Sequence, residues 1–220
     1  MTGPVAGGPS ERPLAVAGAR LLVPEPIVDD RGAFMESWRG SWFPGFRAAQ
    51  GNLSWSEENV LRGLHWHARQ ADVWSVVSGR CRIALVDLRP DSPTHRASAV
   101  VEVDTDDERV ALLIPPGVAH GFYARSTVLL QYVVDRGYDG SDEFGLAWDD
   151  PELGLTWPTE RPLLSERDRT NPSLAEAIAA VAAAGVVFDP AFGSRAADTG
   201  PADAGPAGAG PAGADAADAE

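Results

Sequence analysis

Apolar and polar positions alternate with a period of two through the middle of the chain. In RCRIALVDL (80–88), Cys81, Ile83 and Leu85 alternate with Arg80, Arg82 and Ala84, the pattern of a strand with one face on a core. Similar short runs recur at VWSVV (73–77), ASAVVEV (97–103), RVALLIP (109–115), GFYA (121–124) and VLLQYVVD (128–135). Turn-forming residues divide them: Ser78-Gly79 follows the first run, and the acidic stretch Asp104 to Glu108 separates 97–103 from 109–115. Strands this short and this closely spaced predict an all-β sandwich or barrel rather than alternating α/β units. A helical period comes once, late in the chain. Ser173 and Glu176 have the spacing of a capping box, and Leu174, Ile178 and Val181 fall on one face. A short C-terminal helix over 173–185 is expected to pack outside the strands.

Composition separates the ends from this body. Residues 1–15 are rich in Gly and Pro and read as a disordered tail. Residues 191–220 read as a second, because from Asp198 onward they carry acids but no basic or large apolar residue. Such a segment cannot bury enough surface to offset its ordering entropy. One domain is expected over 16–190, large enough within a chain of 220 residues to form a core without disulfides. The single cysteine, Cys81, has no internal partner, which suits a reducing cytoplasm. The N-terminal residues have neither a basic start nor an unbroken apolar run, so they read as neither signal peptide nor membrane anchor.

The formal net charge is −14, five of the acids lying in the tail from Asp198. That balance argues against a nucleic-acid partner, which needs a basic footprint. A small anion is still accommodated where a few arginines converge. All 18 basic residues are arginine, so Schiff-base lysine chemistry is excluded.

Five segments carry a more specific pattern. They are DDRGAFMESW (29–38), QGNLSWSEENVLRGLHWH (50–67), VDLRPDSPTH (86–95), IPPGVAHGF (114–122) and WDDPELGLTWP (148–158), followed by LSERD (164–168). In this order and spacing they resemble the dTDP-4-dehydrorhamnose 3,5-epimerase family, over about residues 20–170. The resemblance implies a double-stranded β-helix, the cupin jelly roll, usually as a homodimer with exchanged strands. It implies an isomerase that inverts C3, C5 or both of a dTDP-4-keto-6-deoxyhexose through an enolate, without a cofactor, in rhamnose-type deoxysugar biosynthesis. The family base maps onto His65 of the RGLH motif, the carboxylate that orients it onto Asp168, and the opposing acid onto Tyr132. Arg31 and Arg62 map onto arginines that hold the pyrophosphate, whose oxygens suit guanidinium forks. Glu36, Gln50 and Asn52 map around nucleotide and sugar, His120 onto the sugar pocket, and Tyr138 near an aromatic that stacks on thymine.

The pattern breaks after RGLH. Family members usually read LHYQ or LHFQ and then carry a lysine, whereas here the glutamine position is His67 and the lysine position is Asp72. Replacing a cation by a carboxylate opposes an enolate, and Arg69 is the nearby cation that could take its place. Metal-binding cupins place an HxH pair, a carboxylate and a later histidine in this order, which matches His65, His67, Asp72 and His120. Three imidazoles and a carboxylate suit a divalent transition metal, although a ligating His65 could not also serve as the base. A mutual hydrogen bond between His67 and Asp72 is the plainer alternative. Three functions therefore stand: a cofactor-independent epimerase, a metal-dependent cupin enzyme, and a catalytically silent nucleotide-sugar-binding homologue.

Overall fold

The structure, a computed structural model, describes residues 8–190 and 192. Most of the expected C-terminal tail therefore lies outside the described residues, as do residues 1–7. The strands are Ser10–Arg12 (β1), Arg20–Val23 (β2), Ile27–Asp29 (β3), Gly32–Phe34 (β4), Gln50–Ser56 (β5), Leu61–Trp66 (β6) and Asp72–Ser78 (β7). Arg80–Asp87 (β8), Ser98–Asp104 (β9), Ala111–Ile114 (β10), Val118–Ala124 (β11), Val128–Val134 (β12) and Phe144–Gly145 (β13) follow, then helices Glu166–Arg169 (α1) and Leu174–Ala183 (α2).

Two antiparallel sheets face each other, in the orders β1-β2-β10-β7-β12-β5 and β13-β6-β11-β8-β9, while β3 and β4 form a separate hairpin. This is the jelly roll that the strand spacing and the resemblance together implied. Its principal core lies between the sheets: Trp74, Val76, Leu112 and Leu130 from the first meet Ile83, Leu85, Val101 and Phe122 from the second. The alternate residues Val73, Ala111, Leu113 and Val133 face outward under Phe43 and Phe46. On the other side, Ala84 and Val86 of β8 and Ala119 of β11 are covered by Leu174, Ala177 and Val181 of α2. Strands β7, β8 and β10 are thus buried on both faces, each large side chain contributing about 1.5–3 kcal/mol. The alternation read from the sequence is therefore only partly one of apolar against polar.

The late helix begins where its capping signal places it. Ser173 Oγ lies 3.4 Å from the Glu176 amide, and the Ser173 amide donates to Glu176 Oε2 at 2.9 Å. Its buried face is Leu174, Ala177 and Val181, with Ile178 only partly covered. One correction concerns the N-terminal tail: residues 10–12, expected to be disordered, form β1 along the edge of β2. Backbone pairing holds them, together with ion pairs from Arg20 to Glu11 at 2.7 Å and from Arg12 to Glu108 at 2.6 Å. No apolar alternation marks such a segment, so its sequence carried no strand signal.

Candidate active site

At one end of the sandwich polar side chains join Trp74, Phe122, Leu130 and Val134 in lining the space between the sheets. Its volume is about 280 Å³, and Gln50, Asn52, Arg62, His65, His120, Tyr132 and Tyr138 all border it. Strand register explains the convergence. Tyr132 on β12 pairs with Asn52 on β5 and Trp74 on β7, so these three form a row across one sheet. His65 on β6 pairs with His120 on β11, forming the opposing row. Directly paired residues on antiparallel strands share a face. The imidazole and the phenol thus approach the cleft from opposite walls.

Two glycines let β6 and β11 come this close. A Cβ on Gly63 would lie 2.8 Å from Gly121 Cα, and a Cβ on Gly121 would lie 2.6 Å from the Arg62 carbonyl oxygen. Gly63 also has φ of +124°, open to glycine and strained for other residues. The glycine of the RGLH motif and that of AHGF therefore meet each other across the strand pair.

His65 Nε2 lies 2.6 Å from Asp168 Oδ1. Asp168 is buried on α1, whose N-cap Ser165 accepts its amide at 3.0 Å. Burial pushes the Asp168 carboxyl up, but the hydrogen bonds and charge of His65 outweigh it, with Ser165 and the Gly63 amide adding, and the net displacement is downward. An ionised carboxylate accepts the Nε2 proton, so the lone pair of His65 resides on Nδ1. Tyr132 moves the other way: burial raises its pKa, and the carboxylates of Asp72 and Glu143 add to this against Arg62. Its phenol keeps its proton and can donate it.

Arg62 is exposed at the border of the cleft, anchored by Ser56 Oγ at 2.8 Å and the Trp55 carbonyl at 3.1 Å. Gln50 donates to Asn52 Oδ1 at 2.7 Å and accepts the Tyr138 amide at 3.0 Å, tying the Tyr138 loop to β5. His120 is buried, and burial pushes its pKa down to about 4, with the Asp72 carboxylate opposing. Two mapped residues do not reach this cleft from their own chain. Arg31 sits exposed at the tip of the β3–β4 hairpin, paired with Asp29, and Glu36 pairs with Arg39 and borders a separate pocket.

The structure separates the four residues of the metal set. His65 is engaged by Asp168, whereas His67, Asp72 and His120 gather with one ligand-type atom each within 4.8 Å of the others. The mutual hydrogen bond between His67 and Asp72 is not made. His67 Nδ1 instead faces the Asp142 carbonyl at 2.6 Å, and Asp72 accepts from Gln70 at 2.9 Å and Trp74 at 3.1 Å. Arg69 is held at the surface by Asp139 at 2.7 Å, so it does not replace the missing lysine. Sequence reasoning missed Asp142, whose buried carboxylate accepts the amides of Ala68, Arg69 and Gln70 and shapes the loop after His67. Nothing in its surrounding turn sequence distinguishes it.

A polar cleft between jelly-roll sheets, with a carboxylate-oriented histidine opposite a protonated phenol, is the apparatus of an acid–base enzyme. Comparison with known proteins narrows this class. The profile of the dTDP-4-dehydrorhamnose 3,5-epimerase family matches residues 13–176. A dTDP-4-dehydrorhamnose 3,5-epimerase from Streptomyces griseus is 38% identical over 177 residues, covering 75% of this chain and 86% of that protein. The crystal structure of NovW, a 4-keto-6-deoxy sugar epimerase from the novobiocin cluster of Streptomyces spheroides, superposes with a TM-score of 0.72 at 36% identity, over 84% of this chain and 96% of that one. ChmJ, a 3'-monoepimerase from Streptomyces bikiniensis in complex with dTDP-quinovose, does so with a TM-score of 0.70 at 31% identity, over 80% and 91%. The chain belongs to the dTDP-4-dehydrorhamnose 3,5-epimerase family.

Proposed function

We propose that the protein is an isomerase that epimerises a dTDP-4-keto-6-deoxyhexose at C3, C5 or both, in deoxysugar biosynthesis. The observation that carries this reading is the His65–Asp168 pair facing Tyr132 across one cleft. The ketone at C4 acidifies the protons on its two neighbouring carbons. His65 Nδ1 removes one; the electrons of the C–H bond become the enolate, and Asp168 stabilises the imidazolium. Tyr132 then gives its proton to the opposite face of the same carbon, collapsing the enolate with inverted stereochemistry. Exchange with water resets both groups. A proton leaves and a proton returns, so the reaction as written takes no cofactor.

Arg62 is assigned to the diphosphate, Asn52, Gln50 and His120 to the sugar and nucleotide, and Tyr138 to the thymine. Arg31 and Glu36 would complete the cleft of a second protomer, reached by the β3–β4 hairpin in a homodimer. The exposed apolar residues Val28 and Phe34 on that hairpin support this arrangement. A cytoplasmic location fits the lone thiol of Cys81, which is buried. Among the described residues no helix is long and apolar enough to cross a membrane.

Incubation with dTDP-4-keto-6-deoxyglucose in D₂O, followed by NMR, tests the reading. The wild-type protein should place deuterium at C3, C5 or both, and His65→Ala should slow this by roughly 10²–10⁴, the usual worth of a general base. No exchange by the wild type would overturn the reading. Full exchange by His65→Ala would remove His65 as the base.

A further inference from the structure

At the buried end of the cleft, His67, Asp72 and His120 have a geometry that proton transfer does not explain. They come from the loop after β6, the start of β7 and the middle of β11. Each imidazole is fixed by a backbone carbonyl: His67 Nδ1 by Asp142 at 2.6 Å, and His120 Nδ1 by Val118 at 2.9 Å. A carbonyl only accepts, so both Nδ1 atoms carry the proton and both Nε2 atoms carry a lone pair. Outer-shell carbonyls of this kind orient metal-bound histidines. Asp72 is buried, and each of its oxygens accepts one neutral hydrogen bond, from Gln70 or Trp74. No arginine pairs with it among the described residues. His120 Nε2 stands 3.9 Å from Asp72 Oδ2, beyond hydrogen-bonding reach. A buried carboxylate beside two imidazole lone pairs is a costly arrangement unless a cation compensates it.

We propose that His67 Nε2, His120 Nε2 and a carboxylate oxygen of Asp72 bind one divalent transition-metal ion, with its remaining positions open to the cleft. Two nitrogens and one oxygen suit Fe, Mn, Ni or Zn. Metal–ligand bonds of about 2.1 Å place any two ligand atoms no more than about 4.2 Å apart. His120 Nε2 and Asp72 Oδ2, 3.9 Å apart, already lie within that limit, and a ring nitrogen of His67 lies within 4.8 Å of a ligand atom of each. His65 is outside the set, so metal binding and proton abstraction do not compete for it. The dication outweighs the single carboxylate and leaves a net positive site bordering the same cleft as Tyr132 and His65. That charge stands where Asp72 alone would oppose an enolate. Only this last consequence rests on the epimerase reading; binding of the ion does not.

Full-length protein, stripped with a chelator and dialysed, is titrated with Co²⁺ alone and followed by visible absorption. Saturation at one equivalent, with bands displaced by Zn²⁺, is the expected result, and His67→Gln and Asp72→Asn should each weaken binding by about 100-fold or more. Circular dichroism checks that the variants fold. If one does not, the wild type still reports its ligands: NMR of the Co²⁺ form should show two exchangeable, paramagnetically shifted imidazole N–H signals, from the two Nδ1 protons. Absence of saturable binding, binding undiminished in both folded variants, or fewer than two such signals would overturn the proposal. Deuterium exchange on the stripped protein is scored separately. Exchange without Co²⁺ uptake sinks the metal site alone, and uptake without exchange in either the stripped or the reloaded protein sinks the epimerase reading alone.

Discussion

Asp87 has no exposed surface, yet it is paired in a way that keeps it charged. Arg89 donates to both its oxygens at 2.7 and 2.8 Å, and the hydroxyls of Ser92 and Thr94 add bonds at 2.6 and 2.7 Å. Burial pushes the Asp87 carboxyl up, but these partners outweigh it and hold it below the usual carboxylate range. A depressed folded pKa contributes stability that is fully present above the unfolded value, near pH 3.9, and lost as pH falls through the lower folded one. Asp87→Asn should therefore cost about 3–5 kcal/mol at pH 7, by leaving Arg89 buried without its counter-ion. The gap in melting temperature from wild type should close as pH drops below about 4, because wild-type Asp87 is then neutral as well. A gap that stays constant across this range would show that the pair contributes nothing as a charge. In the sequence, VDLRPDSPTH was visible only as part of a family pattern. Spacing cannot say that an Asp and an Arg two residues apart are both buried. The pair of His65 and Asp168, 103 positions apart, was likewise legible only through the order of the motifs.

Strands were legible where at least one sheet face buries a row of apolar side chains, as in β7 to β12. Strand β5 was not, and its physics is the reverse of a core strand. Its cleft-facing residues Gln50, Asn52 and Ser54 are polar, while Leu53 and Trp55 on the other face are 69% and 66% exposed. An inward-apolar template therefore reads it backwards. Strand β6 is interrupted by Gly63, which a periodic reading scores against a strand, although the site depends on it. The tight approach at Gly63 and Gly121 yields a prediction at this scale. Gly121→Ala places a methyl 2.6 Å from the Arg62 carbonyl and 2.7 Å from Leu64 Cδ2, which β6 relieves only by moving outward. The expected cost is about 1–3 kcal/mol of stability. Exchange of substrate deuterium should fall further than stability alone accounts for, since His65 and His120 lie on the displaced pair. Loss of stability with full exchange per folded molecule would mean that the strand separation does not set the site.

At the scale of the whole molecule, Arg31, mapped to the pyrophosphate, and His65, the proposed base, sit on different parts of one chain, and Arg31 is outside the cleft. The hairpin that carries it also exposes Val28 and Phe34, 71% and 66% accessible, and the edge strand β5 exposes Leu53 and Trp55. Strand edges and apolar side chains left open in this way are surfaces to which a second chain can pair. If the hairpin of one protomer serves the cleft of the other, the two residues can be separated genetically. Arg31→Ala and His65→Ala should each be weak or inactive as homodimers. In a mixed dimer, one cleft would lack both groups and the other would have both. Random pairing of equal amounts should then restore about one quarter of wild-type exchange, because half the dimers are mixed and each has one intact site. Sedimentation would confirm that the refolded mixture is dimeric. A mixture no more active than the average of its parents would place Arg31 in the service of its own chain or of none. Recovery near one quarter would mean that a single chain carries only part of its own active site, and that each jelly roll is completed by the hairpin of the other.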